Sequence, residues 1–144
     1  MIYFDTSFVT PLFRPEPTSN ALAKFFRETR TGLATSHWTR AEFSSLVARD
    51  VRMKLIDAAR ATNLDSSFEA AIAQSFTLFA PTVEDIELCK RYLQRYETGL
   101  RAGDALHLAI AKNNNAQAIY SLDDRMIRAG KVLGVPVSRG IRAR

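Results

Sequence analysis

The chain opens on a short apolar run, Ile2-Tyr3-Phe4, cut off by the charged Asp5. An apolar, β-favouring run without polar alternation fits a strand buried on both faces of a sheet. Phe8, Val9, Leu12 and Phe13 then suit a short helix. Arg14-Pro15-Glu16-Pro17 predicts a loop, because two close prolines exclude a continuing helix. From Thr18 to Arg30, Leu22, Phe25 and Phe26 oppose Lys24, Arg27, Glu28 and Arg30, which predicts an amphipathic helix ended by Gly32. Leu33-Ala34-Thr35 is a candidate second strand. A helix starting within Ser36-His37-Trp38-Thr39-Arg40-Ala41-Glu42 is expected to reach about Arg60 with Phe43, Leu46, Val47 and Leu55 buried, and helical pattern continues from Leu64 to Ser75 through Phe68, Ala71 and Ile72.

The second half repeats this strand-helix alternation. Phe76 to Phe79 is strand-like, and Thr82-Val83-Glu84-Asp85 has capping-box spacing before a helix through Ile86, Cys89, Leu93 and Tyr96. Gly99 breaks that helix. Asp104 to Ala111 is apolar on most sides, as a buried helix is. Ala118-Ile119-Tyr120-Ser121 predicts a strand, Arg125 to Val132 a short basic helix stopped by Gly134, and Val135-Pro136-Val137 a last strand whose proline puts it at a sheet edge. The fold class expected is α/β, as one domain over residues 1–144, with no internal repeat and no dividing linker.

Composition narrows the classes. Nearly half the residues are hydrophobic and a quarter charged, ordinary for a soluble globular protein. The single Cys89 excludes an internal disulfide framework and suits a cytoplasmic, reducing setting. No run approaches the ~20 apolar residues of a membrane span, and the N-terminus has no signal-peptide pattern. The formal charge is +5, and from Arg125 onward Arg125, Arg128, Lys131, Arg139, Arg142 and Arg144 meet no acid. That basic stretch suits an acidic partner or substrate, or is simply a solvated tail.

Four acids stand at strand-to-helix junctions, and each has two readings. Asp5 follows the first strand, where open α/β sheets place their sites, but also sits where it would cap a short helix. Glu42 is in the first turns of its helix, yet Thr39 and Glu42 have capping-box spacing. Asp104 opens the buried helix as a site acid or as an N-terminal acid; His107, one turn on, either hydrogen-bonds it or is simply a satisfied core histidine, the commoner case on an apolar helix. Asp123 sits on the turn after the fourth predicted strand, while Ser121 and Asp124 have capping-box spacing that explains Asp124. Glu84, Asp85 and Glu87 are sufficiently explained as first-turn acids facing a helix dipole. His37 has no second His or Cys at ligand spacing and is read as structural.

An α/β sheet would bring Asp5, Glu42, Asp104 and Asp123 to one rim. At an effective dielectric of ~20, two carboxylates ~5 Å apart repel by roughly 3 kcal/mol. Such a cluster calls for a shared cation or for bound protons. All-oxygen ligation favours Mg²⁺ or Mn²⁺ over zinc, and Mg²⁺ needs only one or two direct carboxylates. A cation there inverts the local charge, and Arg101, Arg125 and Arg128 near the rim then suit a polyanion's phosphates. This points to metal-dependent phosphodiester hydrolysis.

Asp5 in Ile-Tyr-Phe-Asp-Thr-Ser, Glu42 in Thr-Arg-Ala-Glu-Phe, Asp104 in Ala-Gly-Asp-Ala-Leu-His-Leu-Ala and Asp123 in Tyr-Ser-Leu-Asp resemble, in type and order, the motifs of PIN-domain ribonucleases. The resemblance covers essentially the whole chain, and within the family it is to VapC-type toxins of toxin-antitoxin pairs. It implies a three-layer fold with a central parallel sheet flanked by helices, and an RNA-cleaving site that binds Mg²⁺ or Mn²⁺. Asp5 and Asp104 would be the direct metal ligands, Glu42 and Asp123 would complete the site, and Thr6, Ser7 and Ser121 would hydrogen-bond the acids. The resemblance further implies an RNA substrate, a small cognate antitoxin and a homodimer. An antitoxin groove would draw on Leu22, Phe25, Phe26, Leu46 and Val47, which core packing explains equally. Asp124-Arg125-Met126 departs from the family pattern and leaves Asp124 without a role.

Rival readings are weaker. A catalytically silent PIN-like binding module would be expected to have lost an acid. Phosphatases using Asp5 as nucleophile want a second Asp where Ser7 stands, and no glycine-rich phosphate loop follows the first strand.

Overall fold

A computed structural model describes residues 1–141; Arg142 and Arg144 of the basic tail lie outside the described residues. Five strands, β1 (Ile2–Phe4), β2 (Leu33–Ser36), β3 (Thr77–Phe79), β4 (Ala118–Tyr120) and β5 (Val137–Ser138), form one sheet in the order β3-β2-β1-β4-β5. All four pairings are parallel. Among the described residues seven helices flank the sheet: α1 (Thr6–Val9), α2 (Ser19–Glu28), α3 (His37–Arg52), α4 (Ala58–Ser75), α5 (Val83–Leu93), α6 (Ala102–Asn113) and α7 (Asp124–Leu133).

Side-chain alternation along β1 divides the core. Ile2 and Phe4 point into a layer with Phe8, Leu22, Phe43, Phe68 and Ile72, drawn from α1 to α4. Tyr3 points into the opposite layer with Leu108, Ile110, Ile119 and Met126. The first layer is strongly aromatic: Phe4 lies 5.1 Å from both Phe8 and Phe26, and Phe43 stacks on Phe68 at 3.9 Å between centroids. Aromatic pairs add about 0.5–1.5 kcal/mol each beyond buried area, which holds the short central strand.

The chain first steps outward from β1 to β2 and β3, then returns to the other side of β1 for β4 and β5. Strand order therefore reverses between β1 and β4. Ligand crevices in open α/β sheets form at the carboxyl ends of the strands at such a point. Asp5 and Ser121 are the first residues beyond those two strands.

Several expectations are corrected. The helix expected from the Ser36-to-Glu42 stretch to about Arg60 begins there, at His37, but is two helices, because Lys54 turns left-handed at φ 59° and Asp57 caps a new start through Arg60 N at 2.7 Å. Leu55 falls in that turn and is 62 % exposed instead of buried. α2 stops at Glu28, ahead of Gly32, where Thr29 becomes extended. α5 ends at Leu93, so Tyr96 leaves the helical face for a 3₁₀ turn closed by Gly99 at φ 65°. Tyr96 is 85 % exposed, and Ile86 is exposed as well. The capping box of Thr82 and Asp85 is formed, and β5 lies at an edge as its proline predicts. Among the described residues no helix is long and apolar enough to cross a membrane.

Candidate functional site

Asp5 directly follows β1 and is 3 % exposed. Its two readings coincide: the carboxylate accepts from Phe8 N at 3.1 Å as the cap of α1, and also from Ser7 Oγ at 2.8 Å and Ser121 Oγ at 2.7 Å. Ser7 in turn accepts from Leu122 N at 2.9 Å, and Ser121 accepts from Asp123 N at 3.0 Å. The hydroxyls of Ser7 and Ser121 thus tie the end of β1 to the end of β4. Burial raises Asp5 above the ordinary carboxylate value, and the His107 charge and these hydrogen bonds offset part of that rise.

Glu42 is not in a capping box. α3 begins two residues before Thr39, whose buried hydroxyl instead pairs with Thr35 Oγ1 at 2.7 Å. That frees Glu42 to face the sheet rim, where Thr6 Oγ1 donates to its Oε1 at 2.6 Å and His107 Nε2 makes a short contact to the same oxygen. Burial works to raise Glu42, but the His107 hydrogen bond and charge and the Thr6 bond bring it below the ordinary carboxylate value.

Asp104 is the third residue of α6, and the residue before that helix, Arg101, makes no side-chain cap. His107 does not reach Asp104; it bonds Glu42, Thr6 and Tyr3. Among the described residues Asp104's carboxylate accepts no hydrogen bond. It is raised to about 6, by burial first and then by the negative charges of Asp123, Asp5 and Glu42. Asp123, not Ser121, caps α7, with Oδ1 accepting from Arg125 N at 2.9 Å and Met126 N at 3.4 Å. Asp124 is exposed and pairs with Arg139 at 3.3 Å.

These side chains line one pocket of about 420 Å³: Asp5, Glu42, Asp104 and Asp123, together with Thr6, Ser7, His107 and, on α3, Trp38 and Leu46. Among the described residues no three acidic, His or Cys side chains are drawn together tightly enough to form a ligand set. The donor chemistry still fits a hard divalent cation. The open donors are carboxylate oxygens, and both ring nitrogens of His107 are engaged. The like charges that raise Asp104 are those a cation would relieve.

Arg101, Arg125 and Arg128 are exposed at or near the starts of α6 and α7, outside the pocket lining. Leu22 and Val47 are core residues, Phe25 and Phe26 pack in the aromatic layer, and Leu46 lines the pocket. His37 is exposed and bonded to Arg40. Sequence reasoning missed Trp38 and the Tyr3–His107 contact. The i, i+3 spacing from Asp104 put His107 on the right helix face, but no local signal could name Tyr3 as its partner, 104 residues away.

Residues 2–132 match the family model of the PIN domain, and the chain belongs to that family. No curated protein matches it closely in sequence. Among solved structures it is similar to VapC20 of Mycobacterium tuberculosis, described as a sarcin-ricin loop cleaving toxin, with 21 % identity, TM-score 0.72, and 90 % of this chain and 95 % of that one covered. A chain of FitAcB from Neisseria gonorrhoeae shares 20 % identity at TM-score 0.74 over 97 % of this chain and 98 % of that one. A chain of VapBC2 from Rickettsia felis, bound to a DNA fragment from their promoter, shares 13 % at TM-score 0.68 over 96 % and 98 %. At these identities the likeness is one of fold.

Proposed function

We propose that this protein is a metal-dependent endoribonuclease, the toxin of a toxin-antitoxin pair, cutting RNA phosphodiester bonds in the carboxylate pocket. The observation that carries the reading is the convergence of Asp5, Glu42, Asp104 and Asp123 on one pocket at the point where strand order reverses. Membership of the PIN family and the description of VapC20 as a cleaving toxin support it.

Asp5 and Asp104 would hold Mg²⁺ or Mn²⁺. When bound, such an ion supplies Lewis acidity and a water of lowered pKa. The protein's own groups do the rest. Ser7 and Ser121 fix Asp5, so its geometry is set before substrate arrives. Glu42 and Asp123 position the attacking water. Arg101, Arg125 and Arg128 hold neighbouring phosphates by charge, so binding weakens as salt rises. A cognate antitoxin would cover the pocket, and the protein would act as a homodimer in the cytoplasm.

The test is cleavage of total RNA by purified protein with Mg²⁺ or Mn²⁺ or with EDTA, beside Asp5→Asn. Metal-dependent cleavage lost in the variant is expected. No cleavage by well-folded protein across a broad RNA set would favour a silent PIN-like binding module instead.

A further inference from the structure

We propose that His107 is the positioning residue of the pocket: locked by Tyr3 with both ring nitrogens protonated, it clamps one oxygen of Glu42 and leaves the other to act. His107 lies one helical turn below Asp104 and is 1 % exposed. Its Nδ1 is 2.8 Å from Tyr3 Oη, and Tyr3 donates its own hydrogen to Ser36 Oγ at 2.9 Å. The phenol oxygen therefore faces Nδ1 as an acceptor, and Nδ1 must donate.

Nε2 is likewise surrounded by acceptors. Its neighbours are Glu42 Oε1 and, at 3.2 Å, Thr6 Oγ1. Thr6 uses its hydrogen on Glu42 Oε1 at 2.6 Å, and a carboxylate has none to give. Both ring nitrogens thus face acceptors. Nε2 therefore donates to the Glu42 carboxylate, and a bond to a charged acceptor is stronger and more directional than a neutral one.

The consequence falls on Glu42. Its Oε1 is taken by two donors. Its Oε2 rests over the first turn of α6, where a Cβ on Gly103 would come within 3.1 Å of it and 3.3 Å of Trp38 Nε1. The absent side chain at 103 leaves that oxygen room at the pocket wall. Tyr3, on the central strand, thereby sets the direction of a carboxylate carried by α3, through a residue of α6.

The inference rests on the nuclease reading only for its kinetic arm; the ring's state is read without any substrate. The chain has two histidines, and His37 is exposed, so ¹⁵N-labelled imidazoles give two separable spectra. In wild type the buried ring should show two slowly exchanging N–H protons. Tyr3→Phe, which keeps the ring's volume, should perturb the Nδ1 signal and lower kcat. His107→Leu should lower kcat by about 100-fold with KM little changed, as small misplacements of a catalytic group do. His107→Gln, which still offers an N–H, should recover most of that loss.

An unprotonated nitrogen on the buried ring of wild type would overturn the proposal. So would His107→Leu with wild-type kcat, or, if that variant does not fold, Tyr3→Phe with unchanged spectrum and kcat. If wild type cleaves no RNA, the nuclease reading fails, while the ring spectrum still decides the clamp.

Discussion

Two walls of one pocket hold their carboxylates in opposite ways. On the α3 wall Glu42 is met by Thr6 and His107 and is brought below the ordinary carboxylate value. At the mouth of α6 Asp104 accepts no hydrogen bond among the described residues and is raised to about 6. One acid already has its counter-charge; the other bears the repulsion of its neighbours. In the proposed site Glu42 would point, and Asp104 would take up a proton or a cation.

The sharpest way to break this contrast is to neutralise each acid in turn. Asp104→Asn and Glu42→Gln should each reduce RNA cleavage by about 10²–10³-fold, the scale of losing one electrostatic group in a preorganised site. Their stabilities should diverge. In thermal unfolding with EDTA, Asp104→Asn should melt higher, because repulsion is removed. Glu42→Gln should melt lower by about 1–3 kcal/mol, because His107 loses its anionic partner at a half-buried site. Both variants shifting in the same direction would erase the distinction.

A divalent ion should act on one wall. At about 100 times its Kd, Mn²⁺ should stabilise wild type by about 2.7 kcal/mol. The shift should vanish in Asp104→Asn and persist, reduced, in Glu42→Gln. Thermal melts with and without Mn²⁺ at pH 7.5 check it.

Acidity offers a smaller handle on metal-free protein. Asp104 binds its proton more tightly folded, about 6, than its ordinary value of 3.8. Folded protein therefore holds the extra proton between those values, and this part of stability falls as pH rises through the window. Asp5, also raised, adds in the same direction. Glu42, lowered, runs the other way: its contribution is present above the ordinary carboxylate value and lost as pH falls through its own lower value. Since Asp104 is partly exposed, its effect should be about 1–2 kcal/mol. Urea unfolding between pH 4 and 7 should show that slope, and Asp104→Asn should flatten it.

The smallest expected effect is Gly103→Ala. Its Cβ would press on Glu42 Oε2 at 3.1 Å, costing about 1 kcal/mol in stability and more in cleavage than in folding.

Much of this arrangement was legible in the sequence. Ile2-Tyr3-Phe4 followed by Asp5 marked the central strand and its site end because apolar run and charge meet within four residues. Asp123 on the turn after Ala118–Tyr120 was legible for the same reason. What failed was local competition. Thr39 and Glu42, and Ser121 and Asp124, have capping-box spacing, yet the helices begin elsewhere: α3 two residues earlier, and α7 capped by Asp123. Spacing alone does not say where a strand releases the chain. The break at Lys54 was hidden because helical pattern continues on both sides of it. The bond from His107 to Glu42, and not to Asp104, depends on how α3 and α6 meet across the sheet, which no window of sequence contains.

The most direct test is calorimetric titration of Mn²⁺ into wild type, Asp104→Asn and Glu42→Gln at pH 7.5, with wild type repeated at pH 5. Binding to wild type is expected at pH 7.5, weaker binding at pH 5 where Asp104 holds a proton, none in Asp104→Asn, and retained binding in Glu42→Gln. Binding to Asp104→Asn as tight as to wild type would contradict that expectation.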